Sequence, residues 1–378
     1  MREQLGGPAA TRPIRLLTAL ALLHAAIALN ATRTVARHSG DFDRFWDITR
    51  SLGLPYRDYP VEYPPGTVAL FELVGAIASR PESFRALLIL TNAVSDAVII
   101  GMLAWAWGVK AALFYAVAAV PILTLLFFRV DLWSVALTTT AVAAWQQYRP
   151  RTAAVAIAAG TAIKVWPLPF AVLLMARKPG RRWTIAIFGI LALVTVVWWW
   201  VIAGDDGFVQ VLTFRAARGW HIETIVGSLL LLTDPAAVRL ESGALRIGSI
   251  SEATAVAMLA AGMCFAVAAL RAGAVRNAIG AGWLAGVVGL LLLSPLLSPQ
   301  FLGWLLPGAA VAWVQGHRRS AGLVLLAVLM TIMYRVRMWA PGVVARDAVL
   351  LAVGCSAIVD LRRRPRPCAS DENVSAVG

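Results

Sequence analysis

Charge is scarce in this chain. Its 378 residues include 34 Lys or Arg, 20 Asp or Glu and 4 His, so charged residues make up only 14%. A soluble domain carries roughly a quarter. Apolar residues reach 60% and mean hydropathy is +0.74, which excludes an ordinary globular protein in water. Cysteine is scarcer still. Cys264 and Cys355 lie in apolar runs and Cys368 in a polar tail, which gives neither a disulfide framework nor a zinc spacing. A glycine-rich phosphate loop is absent, so nothing indicates a nucleotide cofactor. His221 has no second His or Cys near it, which argues against a metal there.

What is present is hydrocarbon. Apolar runs of spanning length recur along the chain and imply a polytopic, all-α membrane protein with about 10–13 membrane segments, some short or broken. The first run, Ile14 to Ala31, reads as a retained helix rather than a leader. The net charge of +14 is not a nucleic-acid signal. Its basic residues cluster in short loops and tails, where they report topology.

Residues 1–361 read as one membrane domain, with long polar loops at 33–65 and 204–250. A basic, then disordered, cytoplasmic tail follows at 362–378. The positive-inside rule puts Arg12/Arg15, Arg80/Arg85, Arg149/Arg151, Arg177 to Arg182, Arg271/Arg276 and Arg318/Arg319 in the cytoplasm. With Gly66 to Ser79 counted as a span, this works only if two segments are V-shaped. One is broken at Pro121, the other at KVWPLP, Lys164 to Pro169. A lysine and two prolines there are expensive in lipid unless the break faces a cavity. Trp198, Trp199 and Trp200 read as interfacial anchors.

The loop from Ser39 to Pro65 is the least membrane-like stretch. It holds Asp41, Asp43, Asp47, Asp58 and Glu62, five of the chain's 20 carboxylates. Within it, Asp41 to Leu52 has helical spacing and suggests an amphipathic helix with its aromatic side in the headgroup region. Asp41 suits an N-cap, and it or Asp43 suits a general base; one residue can do both. Asp47 and Asp58 suit a solvated position or pairing with Arg44, Arg50 or Arg57. Glu62, held extended before its prolines, fits either a loop ion pair or a substrate contact. Arg129 and Asp131 flank a span and could simply pair with each other. Asp96, inside a span, suits a hydrogen bond to a neighbouring helix. Lys164 is a functional candidate by default and could hold a phosphate. Arg215 and Arg218 fit a phosphate or a headgroup equally well. A lipid-phosphate donor would need such cations beside an apolar groove, and no nucleotide or metal.

The motifs occur in a familiar order: DFDRF from Asp41, GLPYRDYPVEYPP from Gly53, RVD from Arg129, Lys164 with Pro167, RGWHIET from Arg218, SPQF from Ser298, and ARDAVLLAV from Ala345. Together they resemble the GT87/DUF2029 family of integral membrane glycosyltransferases, of the GT-C superfamily, over roughly Arg15 to Asp360. The resemblance implies a GT-C helical bundle. It also implies transfer of a sugar, with inversion, from a polyprenyl-phosphate donor to a hydroxyl of a glycolipid or cell-envelope glycan. The reaction would lie at the outer face of a bacterial plasma membrane, with mannose the first candidate sugar and no cofactor. Asp41 matches the family's base, with Asp43 as alternative. Glu62, Lys164, His221, Glu223, Gln300 and Arg346 match its other motif positions, and Arg129, Asp131, Arg215 and Arg218 join them as candidate donor contacts. This chain departs from the family pattern at His221 and Thr224, where the family has Gln and Ser, and at Phe301, where it has Tyr. Asp347 stands where it has Asn. The alternative function is a transporter or flippase for a lipid-linked sugar, which an inverted internal repeat would favour. A non-catalytic scaffold is the third reading.

Overall fold

A chain so apolar cannot leave backbone groups to water, and in hydrocarbon the helix satisfies them within one segment. The computed structural model describes residues 8–34, 40–176, 180–212, 217–337 and 340–363. Arg177, Lys178, Arg215 and the tail from 364 lie outside the described residues. The described chain is a helical bundle. Its first half runs α1 (Pro8–Thr34), α2 (Gly40–Arg50), α3 (Pro65–Ile77), α4 (Pro81–Trp107), α5 (Val109–Ala119), α6 (Leu123–Phe127), α7 (Asp131–Gln146) and α8 (Pro150–Ile163). Its second half runs α9 (Val172–Met175), α10 (Arg181–Leu212), α11 (Ile225–Thr233), α12 (Glu252–Val275), α13 (Ile279–Leu292), α14 (Leu306–Val314), α15 (Arg318–Arg337) and α16 (Ala340–Arg362). Among the described residues, five stretches are long and apolar enough to cross a membrane: Pro81–Trp107, Val109–Phe127, Arg181–Asp205, Glu252–Val275 and Ala340–Arg362. Arg15–Asn30, Pro65–Ile77 and Ile279–Leu292 are apolar but shorter. This is a multi-pass membrane protein with short and broken helices among its spans.

Two expectations fail together. Gly66 to Ser79 is not a span. Helix α3 has 13 residues, about 20 Å at 1.5 Å per residue, and lies alongside α2. Arg50 of α2 donates to Ala78 O at 2.9 Å, and Arg85 sits 3.6 Å from Asp43. Arg80 and Arg85 therefore share an end with the acidic loop. Pro121 is not a V-turn either. It begins a 3-10 turn over 120–122, where its missing N–H costs little, and the segment runs on through Phe127. The far end of α4 is fixed by Gln147 and Arg149, which reach Trp105 O and its ring. One lost crossing and one regained crossing cancel, so every later element keeps the side that sequence alone gave it.

The KVWPLP break does behave as expected. Helix α8 ends at Lys164, whose backbone is extended, and a 3-10 turn over 168–171 leads into α9. Gly180 lies against Pro150: a Cβ on it would be 4.0 Å from that ring. Residues 150–180 thus leave and return to one end, carrying Lys164 to the other.

Helix α2 turns its aromatic face inward instead of into headgroups. Phe42, Phe45 and Ile48 are buried; Phe42 meets Phe128 edge-on at 5.3 Å, and Phe45 stacks on Phe71 at 4.7 Å. Trp199 is also buried, packed on Phe208, while Trp198 and Trp200 stay exposed. Gly204 bends the end of α10 with φ +62, a left-handed value glycine adopts without strain.

The loop over 217–250 adds what an all-α expectation lacked. Strands β1 (Trp220–His221), β2 (Arg239–Glu241) and β3 (Ala244–Ile247) form an antiparallel sheet in the order β1-β3-β2. Ser242 and Gly243, both at positive φ, make the tight turn between β2 and β3. Deeper in the bundle, Asp96 joins three helices as expected. Its carboxylate accepts from Tyr115 at 2.7 Å and meets His24 Nδ1 at 2.8 Å; His24 Nε2 donates to Ala116 O.

Candidate active site

One cavity of about 1380 Å³ opens at the loop end of the bundle. Its polar wall is assembled from pieces far apart in sequence: the first turn of α2, the extended stretch before α3, the α6–α7 link, the break after α8, the sheet and the 3-10 turn over 299–304. Close approach of α3 and α8 brings two of these together. A Cβ on Gly66 would lie 2.6 Å from Ala162 O, so only glycine fits, and Thr67 donates to Ile163 O at 2.7 Å.

Asp41 sits in the first turn of α2, where the helix dipole favours an anion, rather than at the cap position expected for it. Its Oδ1 pairs with Arg129 Nη1 at 2.5 Å, both side chains about one third exposed. Burial pushes the carboxyl above its ordinary range and Glu62 adds to this; Arg129 opposes it. Arg129 thus pairs with Asp41, not with Asp131 as its position suggested. Glu62 pairs with Arg44 at 3.0 Å. Tyr63, between them, has its hydroxyl pushed well up by burial, so it stays a donor.

Asp131 and Lys164 form the second centre. Lys164 Nζ donates to Asp131 Oδ1 at 2.8 Å, and Trp304 Nε1 donates to the same oxygen at 2.8 Å. Phe301, Trp304 and Tyr63 place their rings 5.0, 5.6 and 5.9 Å from the ammonium. Trp304 is held on one face by Phe301 and on the other by Trp166, nearly parallel at 4.8 Å. A lysine so placed keeps further N–H groups for a ligand, with its charge already half answered by Asp131.

The third part centres on His221 and Glu223. Burial, with Arg246, Arg346 and Arg129 nearby, pushes His221 down to about 3, so it is uncharged at physiological pH. Its Nδ1 accepts from Glu223 N at 3.2 Å, which leaves the proton on Nε2. Glu223 is pushed up by burial; Tyr334 donates to it and Arg346 lies 3.7 Å away. Gln300 lines the cavity, its Oε1 accepting from Ser298 at 2.6 Å.

Of the residues picked from sequence, Asp41, Glu62, Arg129, Asp131, Lys164, His221, Glu223 and Gln300 therefore share the cavity. Asp43 does not: 200° around α2 from Asp41, it is 71% exposed and faces Arg85. Arg218 is exposed, and its main chain, not its side chain, makes the bond to Glu241. Arg346 is fully buried behind the wall, bonded to Asp347 at 2.8 Å and to Glu223 O at 2.8 Å, so it braces the site without facing it. Asp47 and Asp58 are exposed, as the solvated alternative had it, and Asp58 also accepts from Leu54 N. Sequence reading missed Trp304, Tyr63, Tyr334 and Asn92. For Trp304 a signal existed in the indole just after SPQF; the others look like ordinary helix or loop residues.

Much of the remaining wall is hydrocarbon, Leu168, Leu212, Leu259, Met263 and Leu290 among it, with Arg335 of α15 a further cation on the lining, 3.9 Å from Glu223. Such a cavity can hold a charged or hydroxylated head together with an apolar tail. Among solved structures, ArnT from Cupriavidus metallidurans bound to undecaprenyl phosphate is 16% identical, covers 93% of this chain and 77% of its own, and aligns with a TM-score of 0.49. Its apo form is 16% identical over 97% of this chain and 80% of its own, with a TM-score of 0.47. No curated protein matches the chain. The model of glycosyltransferase family 87 matches residues 62–299, more than half of the sequence and most of the cavity wall, and this protein belongs to that family.

Proposed function

We propose that this protein moves a sugar, mannose in the first instance, from a polyprenyl-phosphate donor to a hydroxyl of a glycolipid or cell-envelope glycan. Asp41 is the general base. The observation that carries the reading is the single cavity that joins Asp41 to Lys164 and Arg129 and continues into an apolar wall. The polyprenyl tail lies against that wall and the phosphate beside the cations. The acceptor oxygen attacks the anomeric carbon from the face opposite the phosphate and the configuration inverts. As the new C–O bond forms, the bond to the phosphate oxygen breaks, the acceptor proton passes to Asp41, and polyprenyl phosphate leaves with the electron pair. Lys164 and Arg129 answer its added charge. A carboxyl lifted by burial is a stronger base than an ordinary one, which suits this step. The donor brings its own leaving group, so the reading asks for no nucleotide and no metal.

Arg149, Arg151, Arg181, Arg182, Arg276, Arg318 and Arg319 lie at the end away from the cavity. The positive-inside rule then puts the cavity at the outer face of a bacterial plasma membrane. The test is transfer from polyprenyl-phosphate-[¹⁴C]mannose into lipid or glycan in membranes carrying wild type or Asp41→Asn. Loss of product in the variant, with donor still bound, supports the base. Transport of donor with no glycosidic product in wild type refutes the enzyme reading.

A further inference from the structure

Asn92 lies in α4 and is fully buried. Its side-chain nitrogen donates to Phe127 O and to Arg129 O, each at 2.8 Å. Two carbonyl partners identify that atom as the NH2 group, since an amide oxygen would repel both. Its oxygen has no hydrogen-bond partner. A buried acceptor left empty is costly, so what the amide supplies is its two donated bonds.

Those bonds fall on a critical turn. Helix α6 ends at Phe127, and three residues, Phe128, Arg129 and Val130, lead into α7 at Asp131. The last carbonyls of a short helix have no partner of their own. No side chain caps the start of α7. Asn92 satisfies carbonyls on both sides of Phe128 and so fixes the path of the link. Arg129 projects from that link to Asp41.

We propose that Asn92 is a positioning residue of the active site. By clamping the carbonyls of Phe127 and Arg129 it holds the Arg129 guanidinium against the Asp41 carboxylate. The clamp is geometric; only its catalytic meaning rests on Asp41 being the base. The groups around Asp41 are Arg129 from the link, Glu62 and Tyr63 from the stretch before α3, Asp131 from α7, and Arg44 on α2 itself, which is paired with Glu62. Among them Arg129 is the cation that opposes the effect of burial on Asp41. With the clamp gone, Arg129 loosens and Asp41 holds its proton to higher pH.

The experiment reads that proton directly. The full-length protein in membranes is treated with dicyclohexylcarbodiimide, which modifies protonated carboxyls, across a pH series, and labelling at Asp41 is located by peptide mass. Asn92→Ala raises the midpoint by about one pH unit, the influence of one close charge. Asn92→Leu, which also removes the empty acceptor, does the same and guards against loss of folding in the alanine variant. Arg129→Ala raises it at least as far, and Asn92→Ala adds nothing in that background. An unchanged midpoint in both Asn92 variants overturns the proposal, as does an equal increment with and without Arg129. The base reading is judged separately. If Asp41→Asn transfers sugar at the wild-type rate while Asn92→Ala still moves the midpoint, the clamp stands and the base falls.

Discussion

Two acid-centred clusters sit among the apolar helices, and they differ in what is left over. In the His24–Asp96–Tyr115 cluster every group is consumed: Asp96 takes Tyr115 and His24, and His24 spends its second nitrogen on Ala116 O. All three side chains are at most 1% exposed. In the cavity, Asp41 and Arg129 keep about a third of their surface open, and Lys164 keeps donors beyond its bond to Asp131. Burial is expensive in both places. The sealed cluster offsets that expense internally and fastens α1, α4 and α5. The open one leaves capacity for a ligand, and that residual capacity is what makes it the candidate site.

Breaking the open cluster has the largest expected effect. Asp41→Asn removes the proposed base and is expected to lower the transfer rate about 10²- to 10⁴-fold at unchanged donor affinity, read by radiolabelled transfer and by donor binding in the same membranes. With Asp41 as the proposed base, the acid limb of kcat/KM in the wild type lies above the ordinary aspartate value, because burial raises Asp41; activity falls as pH drops through that limb. His221, neutral down to about 3, contributes no limb near its usual pH. A pH profile governed by a group near 6.5 that vanishes in His221→Gln contradicts this. Lys164→Ala comes next. Loss of the proposed charge-assisted bond to phosphate is expected to weaken binding of a polyprenyl-phosphate donor about 10- to 100-fold. Asp131→Asn in the same chain recovers stability, since Asp131 no longer carries an unpaired charge, but does not recover affinity.

Breaking the sealed cluster sharpens the contrast. Asp96→Leu orphans the Tyr115 hydroxyl and His24 Nδ1, costing about 1–3 kcal/mol for each. It lowers the melting temperature of the extracted protein, while transfer per folded molecule is unchanged. A specific loss of turnover at unchanged stability would place Asp96 in the chemistry after all. The smallest effect belongs to Asp43→Asn. Its exposed pair with Arg85 is worth about 0–1 kcal/mol, and transfer stays within twofold of wild type.

Much of the site was legible in the sequence because charge is so rare in it. In an apolar chain each carboxylate or lysine needs a reason, so Lys164 and the acidic loop stood out without any knowledge of contacts, while the preference for Asp41 over Asp43 came from the family resemblance. The discrimination between Asp41 and Asp43 was less legible. Both sit in one short acidic run, and only the position of α2 on α3 shows which of the two faces the cavity. Pairings were not legible either. Arg129 and Asp131 are near neighbours in sequence, but the link bends between them and sends one to Asp41 and the other to Lys164. Asn92 was invisible because its role lies in two main-chain carbonyls about 35 residues downstream.

By itself the sequence determined that the chain lives in a membrane, that its helices are broken at Lys164 and near Ser298, and that its polar residues gather at one end. Hydropathy and charge settle these points because transfer into lipid is decided residue by residue. Which residues meet was decided by tertiary structure alone. Helix α3 lies beside α2 instead of crossing, and the Pro121 segment crosses instead of turning back. The distinction depends on packing: α3 buries one face on α2 and anchors Arg50 on its last carbonyls, an outcome no hydropathy window contains. That same packing seats Asp41 against Arg129, and so brings distant stretches of chain to one cavity.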